Sequence, residues 1–232
     1  MLVHGGVLGG RHAWVDQRPL TRRWTLVAPD LPGHGDAPDG PNDFEVSAEL
    51  VVRELLQEPA HLVGFSYGGI VAMLAAAARP GSVRSLTTIE PPATSAAPDV
   101  TDVTLLDRSL RDVLAAADED PRTVLGRFYA LVGVNLPVPD PLPEPLAKGA
   151  RTLAHTRPPG EATLPLSQLA GAPFQSLVLS GGHSRAFEAI ADAIADAIGA
   201  ERDVVPGAGH LVPTVGRRFN DRLETFLLAS TT

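Results

Sequence analysis

The residues best suited to do chemistry are a serine framed by glycines and a histidine far downstream. Gly64-Phe65-Ser66-Tyr67-Gly68-Gly69 has GxSxG spacing, follows the apolar run His61-Leu62-Val63-Gly64 and opens the helical run Ile70–Ala78. A sharp strand-to-helix turn lifts such a serine out of the chain and demands glycine two positions before and after it, because larger side chains there collide. The same turn aims helix N-terminal amides at the serine, where a developing oxyanion can be held. Near the C-terminus, Val205-Pro206-Gly207-Ala208-Gly209-His210 puts a histidine on a glycine-rich loop. Imidazole ordinarily titrates near neutrality, so it can take a serine proton and return it to a leaving group, worth about 10²–10⁴ in rate. Ser66 is therefore the candidate nucleophile and His210 its candidate general base.

A second oxyanion donor has to come from a loop passing close to the serine. Leu2-Val3-His4-Gly5-Gly6 supplies glycines directly after the first strand candidate, and the amide of Gly6 is the expected donor. Each such donor stabilises a transition state by about 2.7–4 kcal/mol. His4 reads as a brace for this loop. The rival reading of Gly5-Gly6-Val7-Leu8-Gly9-Gly10 is a dinucleotide fingerprint with Asp30 downstream. It fails on spacing, since Val7 stands where the middle glycine of a set starting at Gly5 is needed.

The elements that must position these residues alternate. Strand candidates are Leu2–Val3, Thr25–Ala28, His61–Gly64, Leu86–Ile89, Ser176–Leu179 and Asp203–Val205, and helical patterns cover about 43–57, 68–79, 185–198 and 213–228. Alternation of this kind predicts an α/β fold with a six-stranded, mostly parallel sheet and helices on both faces. The stretch 91–173 breaks the pattern. It is proline-rich, has helical stretches near 103–117, 121–132 and 144–155, and carries an apolar face that includes Leu106, Leu110, Val113 and Phe128. It reads as a helical insertion between the core segments 1–90 and 174–232.

These motifs, taken together and in this order, resemble the α/β-hydrolase family: His4-Gly5-Gly6, Asp30-Leu31-Pro32-Gly33-His34-Gly35, Gly64-Phe65-Ser66-Tyr67-Gly68-Gly69 and Gly207-Ala208-Gly209-His210. The resemblance covers nearly the whole chain. It implies a helical cap at 91–173, a nucleophile at Ser66, a base at His210, and an oxyanion hole made by the amides of Gly6 and Tyr67, with His34 structural. Two departures stand out. The strand before His4 opens the chain, as in the compact plant esterase and hydroxynitrile-lyase branch. The family's acid position, in a GxxD pattern, is occupied by Ser184 in Gly181-Gly182-His183-Ser184. A serine cannot stabilise an imidazolium as a carboxylate does.

Glu90, in Thr88-Ile89-Glu90-Pro91-Pro92, is the favoured replacement, because neighbouring strand ends of a parallel sheet share one edge, about 4.8 Å apart. Glu188, inside a helical pattern, is the weaker candidate, and a Ser-His pair without a carboxylate is the third option. The expected chemistry is hydrolysis of an ester or related acyl bond of a small hydrophobic substrate through an acyl-enzyme. The alternative is a non-hydrolytic use of the same pocket, as a lyase, a cyclase-like enzyme or a ligand-binding receptor with a weakened triad.

Composition narrows the partners. The 232 residues carry 27 Asp+Glu against 19 Lys+Arg, a formal charge of −8, so nucleic acid and anionic membrane surfaces are not expected. A hydrophobic fraction of 44% with 20% charged residues is globular composition. Cysteine is absent, which removes disulfides and thiolate chemistry together. The opening Met1–Gly6 has neither the basic stretch nor the apolar run of a secretory signal, and the uncharged stretch between Glu58 and Arg79 divides into strand, turn and helix, so a cytoplasmic setting without membrane spans is expected. The histidines His12, His61, His155 and His183 show no metal-ligand spacing with carboxylates, so neither metal nor other cofactor is expected. The partner is a small-molecule substrate, and the chain is a monomer or a homodimer.

Overall fold

The computed structural model describes residues 1–230. In chain order the principal elements are β1 (Leu2–Val3), α1 (Gly10–Ala13), α2 (Phe44–Leu50), β2 (Ala60–Phe65), α3 (Tyr67–Ala78), β3 (Val83–Ile89), α4 (Thr101–Leu114), α5 (Pro121–Val132), α6 (Glu144–Leu153), α7 (Leu166–Ala170), β4 (Gln175–Ser180), α8 (Arg185–Ile198), β5 (Glu201–Val204) and α9 (Arg217–Ala229). The strands pair in the order β1-β2-β3-β4-β5, and every pairing is parallel.

Why the strands are buried on both faces follows from their composition. In β2, Leu62 packs into one apolar cluster and Val63 into the other, and β4 alternates likewise between Val178 and the pair Leu177 and Leu179. The first cluster includes Phe44, Ile70, Met73, Phe187 and Ile190, from α2, α3 and α8. The second receives Phe219, Leu223 and Phe226 from α9, with Trp14 and Leu20 from the segment after β1. Near-continuous apolar strands covered by helices on both faces are what a parallel sheet requires.

The sheet has five strands among the described residues, one fewer than the sequence pattern predicts. The missing one is Thr25–Ala28. Its backbone is linked to β1 by one bond, from the Leu2 amide to the Val27 carbonyl at 2.8 Å, and Thr25 and Val27 are exposed. β1 is only two residues long, too short to template a further ladder. The pattern at 43–57 also divides. Asp43 caps α2 by accepting from the amides of Glu45 and Val46, and the helix ends in one wider turn at Val51–Leu55.

Between β3 and β4 the chain makes α4 to α7, and the described residues there contain no named strand. An isolated bridge, Asn42 with Thr156, ties the end of this segment to the loop before α2. Arg157 reinforces that tie through ion pairs to Asp43, Glu45 and Glu161 and by lying 4.4 Å over the Phe44 ring. No helix among the described residues is long and apolar enough to cross a membrane.

Candidate active site

Ser66, Glu90 and His210 stand beyond the C-terminal ends of strands, the edge where open parallel sheets gather their sites. Ser66 follows β2, Glu90 follows β3, Gly181 follows β4, and His210 lies on the loop after β5. The ladder itself runs on into the site. The Ser66 amide donates to Ile89 O at 2.8 Å, the Glu90 amide to Leu179 O at 2.9 Å, and the Val205 amide to Ser180 O at 2.8 Å. The backbone of nucleophile and acid is thus held as firmly as the sheet.

Among the described residues, two that are not glycine adopt positive φ: Ser66 at 52° and Glu90 at 49°. Such backbone costs on the order of 1–3 kcal/mol per residue and persists only where the surroundings over-determine it. At Ser66 the determinants are visible. A Cβ on Gly64 would overlap the Gly68 carbonyl, and one on Gly68 would overlap the His4 carbonyl. A Cβ on Gly5 would come within 3.1 Å of the Ser66 Cβ. The glycines of both motifs therefore let three segments meet at one point. Gly64→Ala is expected to lose about 2–3 kcal/mol of unfolding free energy through this overpacking, measured as a fall in urea midpoint.

The side chains form a continuous relay. His210 Nε2 lies 3.0 Å from Ser66 Oγ, and His210 Nδ1 lies 3.1 Å from Glu90 Oε2. The Gly181 amide donates to Glu90 Oε1 at 2.5 Å, which fixes the carboxylate from its other side. All three side chains are buried. Gly181 has no room for a side chain, because the Gly209 carbonyl presses on the position a Cβ would take, and this contact seats the histidine loop.

Glu188 is not brought to His210. Its carboxylate accepts from Ser180 Oγ at 2.7 Å and the Gly182 amide at 3.0 Å, and pairs with Arg202 at 2.5 Å. It braces the loop after β4. Ser184 is the N-cap residue of α8. Gly6 lies beside the nucleophile turn, where an added Cβ would meet Tyr67 Cβ at 4.0 Å. Tyr67 is the first residue of α3, so its amide has no acceptor within the helix. The Tyr67 hydroxyl lies 3.0 Å from Asn42 O and 3.1 Å from Arg157 O, anchoring the turn to the α4–α7 segment, and burial raises its pKa.

His4 and His34 sit behind the Gly5-Gly6 loop with ring centroids 4.7 Å apart. The Leu31 amide donates to His4 Nε2 at 2.9 Å, so the ring proton is on Nδ1, which donates to Gly5 O at 2.7 Å. Burial, with the neighbouring His34 adding to it, lowers the His4 pKa to about 3, and burial lowers that of His34 as well. An unfolded histidine has its pKa near 6.5, so below that pH the unfolded chain binds a proton the folded one refuses. The stability owed to a neutral His4 is whole above about pH 6.5 and drains away as pH falls toward 3. At pH 4.5 the loss from His4 alone is on the order of 3 kcal/mol. Urea midpoints at pH 7.5 and 4.5 are expected to differ accordingly, and His4→Gln to shrink the difference. An unchanged difference would assign the acid sensitivity to other groups.

A cavity of about 180 Å³ opens at Ser66 and His210 and is walled by Leu8, Phe65, Phe128, Val134 and Leu136. A second recess of about 20 Å³ also borders Ser66, beside Gly6 and Tyr67, and is closed by Leu110, Val132 and Leu153. The two spaces that reach the nucleophile are therefore unequal, one roomy and apolar and one that holds little more than a methyl group.

Comparison with known proteins agrees with this architecture. Over 87 residues the chain is 45% identical to the pimeloyl-[acyl-carrier protein] methyl ester esterase of Neisseria meningitidis serogroup A, a match covering 37% of this chain and 27% of that protein. The enzyme of the same name from Methylococcus capsulatus is 40% identical over 85 residues, covering 37% and 32%. The match thus spans between about a quarter and a third of the length of these curated relatives. Among solved structures, NosK from Streptomyces actuosus is 26% identical with a TM-score of 0.68, covering 100% of this chain and 97% of that one. A thermophilic esterase from Thermogutta terrifontis, 23% identical, shares the fold with a TM-score of 0.74, covering 100% of this chain and 89% of that one. A model of the alpha/beta hydrolase family matches residues 1–222, and with the parallel sheet and the serine turn already in view, the chain belongs to the alpha/beta hydrolase family.

Proposed function

We propose that this protein is a serine esterase that hydrolyses a small, apolar carboxylic ester through an acyl-enzyme. The observation that carries this reading is the unbroken relay from Ser66 through His210 to Glu90, buried at the mouth of an apolar cavity. Ser66 Oγ attacks the ester carbonyl as its proton passes to His210 Nε2. Glu90 keeps the imidazole in the Nδ1–H tautomer and stabilises the imidazolium as it forms. The amides of Gly6 and Tyr67 receive the oxyanion. When the tetrahedral intermediate collapses, His210 hands its proton to the departing alcohol. Water then takes the alcohol's place and attacks the acyl-enzyme as it gives a proton to His210, and when this second tetrahedral intermediate collapses His210 returns that proton to Ser66 Oγ and the acid is released.

A complete relay favours hydrolysis over the lyase or receptor alternatives, which drew their support from the serine at position 184. Segments 1–90 and 174–232 form the catalytic core, and 91–173 acts as the cap, supplying Phe128, Val134 and Leu136 to the cavity wall. The asymmetric cleft suits an ester with one medium-length apolar arm and one arm of one or two carbons. The activity for which the Neisseria and Methylococcus relatives are named, a methyl ester esterase, fits that shape. The partner is this substrate rather than nucleic acid or membrane, in keeping with the charge of −8. A cytoplasmic monomer or homodimer that needs no cofactor completes the reading.

The test is a comparison of methyl octanoate with octyl octanoate, followed by acid release, together with mass spectrometry of protein treated with a fluorophosphonate. Methyl octanoate is expected to be the better substrate by at least about tenfold, and the adduct to lie on Ser66. A folded protein that is neither acylated nor labelled removes the esterase reading.

A further inference from the structure

His183 takes no part in the relay, and its sequence spacing joined it to no carboxylate. The fold nonetheless brings its ring against Glu90. His183 Nε2 lies 3.0 Å from the Val132 carbonyl, so that nitrogen carries a proton and donates it. In the neutral ring Nδ1 is then a bare lone pair. It is shielded from solvent, has no hydrogen-bond partner, and stands 3.7 Å from Glu90 Oε2. On the other flank of the same oxygen, at 3.1 Å, is His210 Nδ1. The three atoms lie within 4.8 Å of one another.

Two imidazole nitrogens and a carboxylate oxygen are the donor set that suits zinc. Tetrahedral zinc, with bonds of about 2.0–2.1 Å, separates its ligand atoms by about 3.3 Å. The separations of 3.1 and 3.7 Å from Glu90 Oε2 bracket that figure, while the two imidazole nitrogens, held within 4.8 Å of each other, close toward it when the metal binds. The Gly181 amide already holds the other carboxylate oxygen, the kind of outer contact that orients a ligating carboxylate. We propose that Glu90, His183 and His210 form an inhibitory binding site for a divalent transition cation of the zinc type, with water in the fourth position.

The inhibition follows from where one proton sits. In the working tautomer His210 holds its proton on Nδ1, toward Glu90, and offers the Nε2 lone pair to Ser66. A metal–Nδ1 bond uses the Nδ1 lone pair and displaces that proton, and the neutral ring then carries its single proton on Nε2. The ring therefore donates to Ser66 Oγ instead of accepting from it, and the serine cannot be deprotonated. No electron changes hands, and the substrate cavity is untouched, so kcat falls while KM changes little. The site itself stands independently of the esterase reading; its inhibitory effect rests on that reading.

Calorimetric titration of the full chain with ZnCl2 tests the site without any substrate, and turnover of a p-nitrophenyl ester tests the effect. The wild type is expected to bind one zinc ion per chain. Zinc is expected to lower kcat at least tenfold, with recovery on adding EDTA, whereas magnesium at the same concentration has no such effect, because two imidazoles favour zinc over harder cations. His183→Gln, with His183→Asn as a second variant, is expected to retain metal-free turnover within about threefold while its zinc affinity falls at least tenfold. Absence of zinc binding by the wild type, or affinity unchanged in a folded His183 variant, overturns the proposal. Should both variants unfold, an anomalous map at the zinc edge from wild-type crystals decides the matter. A peak among the three side chains supports the site; a peak elsewhere, or none, rejects it.

Discussion

Ser66→Ala is expected to lower kcat/KM for a p-nitrophenyl ester by about 10⁴–10⁶-fold and to leave the urea midpoint nearly unchanged. The loss is large because the attacking atom itself disappears; what survives is water attack helped by the Gly6 and Tyr67 amides and by binding. The fold survives because alanine keeps the Cβ that this turn already accommodates at φ 52°, and the amide bond to Ile89 O does not involve the side chain. His210→Ala is expected to cost about as much, and the double variant little more than either single one, because the two side chains, 3.0 Å apart, act as a unit. Additive losses in the double variant would show that they work separately and would dismantle the proton relay.

The second largest effect is expected from Glu90→Gln, a fall in kcat of about 10³–10⁴-fold with KM within a few-fold of wild type. The carboxamide oxygen can go on accepting from the Gly181 amide, which leaves the NH2 group facing His210 Nδ1. That nitrogen must then present a lone pair, its proton moves to Nε2, and Ser66 loses its acceptor. A chemically slight substitution thus costs much because it reverses a tautomer. Glu188→Gln is the control. It disturbs bonds to Ser180, Gly182 and Arg202 in the loop after β4, so a lower melting temperature with kcat reduced less than about threefold is expected. Comparable losses of kcat in both variants would take Glu90 out of the relay.

The sequence alone was enough for the local parts of this protein. Gly64, Ser66 and Gly68 announce the serine turn because its backbone tolerates no Cβ at the flanking positions; at Gly64 the obstacle is the Gly68 carbonyl within the turn itself, and at Gly68 it is the His4 carbonyl of the neighbouring loop. The alternation of strand and helix and the apolar stripes of α8 and α9 are equally local, and they carry the fold class. The Ser66–His210 pair and the preference for Glu90 also came from the sequence, through motif order and the shared strand edge, but other features set by distance across the sheet did not. Thr25–Ala28 has the composition of a strand, yet whether it pairs depends on a neighbour, and β1 offers only two residues. Glu90 and Glu188 are both carboxylates near a strand end; the contacts of Arg202 and Ser180 with Glu188, and of the Gly181 amide with Glu90, decide which one faces His210. His183 shows no partner in the sequence because its carboxylate is 93 positions away, on the neighbouring strand. Steric rules for one turn can be read along a chain, whereas the pairing of charges and lone pairs depends on which strands become neighbours, and only the folded sheet determines that.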